Sequence, residues 1–130
     1  MREITPLSVK HMPVERALAL PPSMELDMYV FSNIVDGPDE MMQDENIGRL
    51  PSFSRKFGDC QMLLVKVVME LGQISVVMDP GLFGEAVAKG FMVRKTPCIV
   101  WRISAADFVG YGRNFEEALC KLLIVAKTKS

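Results

Sequence analysis

The stretch from Leu50 to Gly72, LPSFSRKFGDCQMLLVKVVMELG, constrains this chain more than any other. A Pro-Ser-aromatic-Ser turn leads into a helix that is apolar on nearly every side. Between Cys60 and Leu71 only Gln61, Lys66 and Glu70 are plainly polar. Such a helix has to be covered on more than one face, by the core of its own fold or by another subunit. Either Ser54 or Asp59 can start it, and Gly72 releases the chain at its end.

The rest of the chain has to supply that cover. Its 130 residues suffice for one domain with a substantial core. With 49% apolar and 24% charged residues the composition is that of a globular protein, not a disordered one. A net charge of −1 argues against nonspecific nucleic-acid binding, which needs a basic face. Arg55-Lys56 and Arg94-Lys95 are only isolated basic pairs. Cys60, Cys98 and Cys120 each lie in an apolar run without CxxC spacing, as expected of buried thiols in a reducing cytoplasm. With one histidine, His11, they do not make a four-ligand zinc set. The N-terminal residues lack the apolar core of a signal peptide, and no apolar run approaches the roughly 20 residues of a membrane span. A soluble, cytoplasmic protein is expected.

Residues 1–22 read as an irregular arm broken by Pro6, Pro13, Pro21 and Pro22, with Ile4 to Val9 as a candidate edge strand. Ser23 is a good N-cap for a helix from Met24 to about Val35, with Leu26, Tyr29, Val30 and Ile34 facing the core. Asp36-Gly37-Pro38 stops it, with Gly37 suited to the C′ position. After the central helix, strands are expected at Gln73–Asp79, Cys98–Ser104 and Phe108–Tyr111, with a brief fourth at Phe91–Arg94. Leu82 to Lys89 is either a short helix or irregular. Asn114 caps a final helix from Phe115 to about Lys127, with Phe115, Ala118, Leu119, Leu122, Leu123 and Ala126 on its apolar stripe. The order predicts a single α+β domain over residues 23–130, a largely antiparallel three- to four-stranded sheet packed with three helices.

Chemistry is sparse in this frame. The run from Asp36 to Gly48 carries Asp36, Asp39, Glu40, Asp44 and Glu45, but not the DxDxDG order of a calcium loop, so it reads as a solvated loop. Met41 and Met42 inside it either mark a contact surface or fold back on the core. The candidate partner-binding set is therefore Asp39, Glu40, Met41, Met42, Asp44 and Glu45. A weaker candidate for a phosphate-bearing ligand is Asp79, Gly81 and Gly84, where a strand turns into a possible helix start. Neither GxxxxGK[ST] nor GxGxxG is present, Phe83 between the glycines favours packing, and turn formation explains Asp79 simply. His11 could pair with a cysteine nucleophile, but the cysteines lie in core elements. Phe108 and Tyr111 could stack bases, though without an RNP-like motif core packing is the better reading. No catalytic, cofactor-binding or metal-binding residue is assigned.

Three pieces of the chain, in order, resemble the small phage proteins of the ABA-sandwich family. The first is Glu25-Leu26-Asp27, opening a helix that ends near Gly37. The second is Leu50-Pro51-Ser52-Phe53-Ser54 followed by Gly58-Asp59-Cys60-Gln61-Met62-Leu63, which is similar to the family's Pro-x-Tyr-Ser-Thr-Asp turn and small-residue helix start. The third is a strand containing Trp101, a short strand, and Asn114-Phe115-Glu116-Glu117-Ala118-Leu119-Cys120. Arg55-Lys56 departs from the family's Thr-Asp. The resemblance spans about residues 24–127 and implies a helix–sheet–helix fold and a phage or prophage origin. It brings no activity and no site residues. The expectation for function is an accessory protein without catalysis, working in the bacterial host cytoplasm by binding a phage or host protein, with inhibition of a host defence system as one form. The alternatives are a nucleotide- or phosphate-binding domain or small enzyme built on Asp79 to Gly84, and a homo-oligomeric virion component.

Overall fold

The computed structural model describes residues 6–43 and 46–129. They form an α+β fold of six α-helices and one three-stranded sheet. The helices are α1 (Pro6–Lys10), α2 (Val14–Ala19), α3 (Met24–Asn33), α4 (Phe57–Leu71), α5 (Phe83–Ala88) and α6 (Phe115–Lys129). The strands β1 (Ile74–Asp79), β2 (Val100–Ala105) and β3 (Phe108–Gly112) lie in the order β1-β2-β3, all antiparallel.

The three long helices fall where the apolar periodicity puts them. Ser23 caps α3, its hydroxyl oxygen accepting the Leu26 N–H at 3.2 Å. Asn114 does the same for α6 through the Glu117 N–H at 2.6 Å. Neither Ser54 nor Asp59 is the N-cap of α4; that position is Lys56, without a side-chain cap. Asp59 in the first turn instead reaches back, accepting the Ser52 N–H at 2.8 Å, and Ser54 turns toward α3. At the end of α3 the left-handed residue is Asp36, at φ 57°, rather than Gly37. Gly37 is needed for a different reason: its N–H donates to the Phe31 carbonyl, and a Cβ there would sit about 2.1 Å from the Phe31 ring.

Among its described residues the N-terminal arm is largely helical. Residues 6–10 and 14–19 are helical, so Val9 lies in a helix and not in an edge strand; Ile4 and Thr5 lie outside the described residues. Pro6 and Pro13 stand at helix starts, where a missing N–H costs nothing. Val9, Met12 and Ala17 are buried in the main core. Phe91 to Arg94 forms no strand. Phe91 and Met92 instead pack as loop residues in a second core with Phe83, Ala86, Val100 and Tyr111.

Register assigns the two faces of the sheet. Ile74, Val76 and Met78 stand opposite Ala105, Ile103 and Trp101, so these residues share one face. That face carries α6 and α4, with Ile103 and Ala105 in the main core. Gly110 and Gly112 of β3 lie on it too, and α6 approaches so closely that a Cβ on Gly110 would meet the Ala118 carbonyl oxygen at 2.3 Å. The opposite face is covered only in part, by α5 and the 91–92 loop. No described helix is long and apolar enough to cross a membrane.

Candidate functional site

The two ends of the turn before α4 are tied down by buried polar groups. Asp27 of α3 is fully buried; its Oδ1 accepts the Ser54 N–H at 2.7 Å and the Ser54 hydroxyl at 2.6 Å. Its Oδ2 accepts from Arg55, at 2.8 Å from Nη2 and 3.0 Å from Nε. Arg55 thus has a partner inside the fold. The Ser54 carbonyl accepts from the Asn114 amide at 3.3 Å, which joins this cluster to the start of α6. Glu117, one turn further on, is fully buried and bonded to Arg113 and Lys121, and the buried Lys121 ammonium also donates to the Phe91 carbonyl at 2.8 Å. Desolvation lowers the pKa of Lys121 and Glu117 opposes that shift. Asp27, Ser54, Glu117 and Lys121 are enclosed and answered by protein, with Arg55 and Arg113 reaching them from the surface, so the chain of bonds holds elements together.

The acidic loop folds back on the body of the protein. Met42 is buried and Met41 packs against the main core, so of the two readings of that pair the contact with the core holds. Asp39 is exposed and lies 3.7 Å from Lys10. Glu40 is exposed, and its carbonyl accepts from the Asn46 amide. Asp44 and Glu45 lie outside the described residues. The second candidate set is a turn: Asp79 Oδ1 accepts the Gly81 N–H at 2.6 Å, and Phe83 is buried in the second core. Gly84 lies inside α5, a helix of only six residues. No cradle of amides converges there.

The partly covered face of the sheet holds a cleft of about 480 Å³ lined by Tyr111, Val109, Phe91, Lys89 and Lys129. The Tyr111 hydroxyl donates to Glu85 Oε2 at 2.6 Å, and Arg102 lies 3.3 Å from the same oxygen. Burial, and then the bond to Glu85, push the phenol up to about 12, while the phenol's bond lowers Glu85. The phenol stays protonated and fastens α5 to the sheet. Among the described residues no three His, Cys, Asp or Glu side chains gather as a metal ion would need.

The surface that stands out is elsewhere. α4 buries only Cys60, Leu63 and Val67. On its opposite side Met62, Val65 and Met69 are 52%, 61% and 81% exposed, with Val68 beside them. Only Gly72 and Gln73 separate α4 from β1, which packs against it and is an edge of the sheet. In β1 Val76, Val77 and Met78 are 43%, 38% and 55% exposed. Val76 and Met78 share the helix-bearing face, and Val77 lies on the other; contiguous exposed apolar side chains of this kind mark an interaction surface. The signal lay in the sequence as the all-round apolarity of the central helix. What it lacked was knowledge that the fold covers one side only.

The chain matches no family model, no curated protein and no solved structure.

Proposed function

We propose that this chain is a binding module rather than a catalyst, and that it works by protein–protein contact through the α4–β1 face. The observation that carries the reading is the second apolar stripe of α4, Met62, Val65 and Met69, set against an open strand edge that contains no charge between Ile74 and Met78. Contiguous exposed apolar side chains mark interaction sites. Methionines suit such a site because they adapt their shape to a partner. The acidic loop supports the reading less well than the sequence implied, because its methionines are spent on the core.

The resemblance to phage ABA-sandwich proteins supplies a setting: an accessory protein in the cytoplasm of a bacterial host, with inhibition of a host defence system as one form. The residues behind its first two pieces meet in space, since Asp27 holds Ser54.

The test compares two charge changes in one capture experiment. Val65→Glu with Met69→Glu is expected to abolish contacts with other chains, copies of itself included. Asp39→Lys with Glu40→Lys is expected to leave them within about twofold. The opposite pattern would return the working surface to the acidic loop and overturn the reading.

A further inference from the structure

Resting on that reading of the α4–β1 face, we propose that its occupant is a second copy of this chain, docked β1 to β1 about a two-fold axis to give a continuous six-stranded sheet. Native edge strands are normally guarded by charges, proline or bulges. β1 has none of these from Ile74 to Met78, and every second residue there turns its N–H and C=O to an open edge. A two-fold axis perpendicular to the sheet keeps faces together, so residues opposite one another must share a face.

Centred on Val76, the pairing sets Val76 against itself and Ile74 against Met78 on the helix-bearing face, and Ser75 against Val77 on the other. Asp79 then stands opposite Gln73, so no like charges meet. Centred one residue later, the pairing would oppose Ile74 to Pro80, which has no N–H to give to the ladder. Centred one residue earlier, only Ile74 to Val76 would pair within the strand, so the Val76-centred register is the one that keeps a long ladder clear of Pro80. The same axis brings the two α4 helices onto one side of the joined sheet, where Met62, Val65, Val68 and Met69 can meet their copies.

The experiment is light scattering coupled to sizing over about a hundredfold range of concentration, paired with single cysteine variants. A mass twice the 14.5 kDa of one chain is expected, falling toward one chain on dilution. Val76→Cys should cross-link to itself under mild oxidation, while Val77→Cys, which faces Ser75 of the copy, should not. Both variants carry Cys98→Ser, because Cys98 is a half-exposed thiol, whereas the buried Cys60 and Cys120 do not compete. Val76→Lys should shift the protein to single chains, with its circular dichroism spectrum unchanged. A single-chain mass at every concentration overturns the proposal. So does a double mass with no Val76→Cys cross-link. If the chain is single but Val65→Glu with Met69→Glu still abolishes capture of a different protein, the second-copy inference falls and the binding reading stands.

Discussion

α4 and α6 are both fifteen residues long and stand side by side in the main core, yet their fates are opposite. α4 is the more apolar and buries three residues. α6 carries two glutamates in its first turn and a lysine in its middle, and it is buried without a break from Glu117 to Ala126. Position explains the inversion. α6 lies against β2 and β3, with glycines that let it approach, and meets α4 and α2 on its other sides. It is buried whatever its outward residues are, so Glu117 and Lys121 must answer each other. α4 sits at the rim beside the edge strand, where one side meets the core and the other meets none of the described residues. Composition therefore states what a helix can tolerate, and topology states what covers it.

The comparison breaks first at Glu117. Replacing it with Ala strands the Lys121 ammonium in a dry core, and we expect a loss of about 3–5 kcal/mol in urea unfolding. Glu117→Leu with Lys121→Leu should recover most of that loss, because the desolvation of both charges is removed together. A loss under about 1 kcal/mol for Glu117→Ala would mean that α6 is not enclosed as described.

The thiols test the comparison at one residue per helix. Cys60 of α4 and Cys120 of α6 are both fully buried. Burial, then the charge of Glu116, push Cys60 up to about 12. Burial first, and then Cys60 and Asp27, push Cys120 well above its usual range. A folded pKa above the unfolded value means that unfolded thiols lose their protons first. Their stabilisation is full below about pH 8.5 and is lost as pH rises toward the folded value, at up to about 1.4 kcal/mol per pH unit for each thiol. Lys121, lowered by burial, works the other way until its unfolded value of about 10.4 is passed. Stability should therefore fall between pH 9 and 10.5, and Cys60→Ala with Cys120→Ala should flatten that fall. An unchanged slope in the double variant would show that the thiols ionise in the folded protein.

Much of this arrangement was legible residue by residue. Ser23 and Asn114 announced their helices because a short polar side chain before an apolar period has a single economical use. The strands expected at 73–79, 98–104 and 108–111 stand at 74–79, 100–105 and 108–112, because short runs rich in β-branched and aromatic residues are bounded there by turns. The arm misled because its prolines read as breakers, whereas Pro6 and Pro13 open helices. Phe91 to Met92 looked like a strand because a buried apolar loop and a short strand share a composition. The candidate site was harder for a further reason. Met41 and Met42 differ from Met62 and Met69 only in what the fold lays over them, and that depends on contacts far apart in the chain.

The smallest effect is the most telling. Met69→Ala on the outer stripe of α4 removes a long side chain from a helix that sequence alone would bury all round. With 81% of Met69 uncovered, its truncation should change single-chain stability by no more than about 0.5 kcal/mol. Leu63→Ala, two turns earlier on the inner stripe, should cost about 2–5 kcal/mol because Leu63 is buried in the main core. The contrast has to be measured at the lowest concentration that still gives a signal. There Met69→Ala is neutral, while at high concentration a covered Met69 should begin to cost stability, since burial against another chain adds to folding only when that chain is present. A Met69→Ala loss that is large and independent of concentration would place the cover inside one chain, and α4 would then be buried as α6 is.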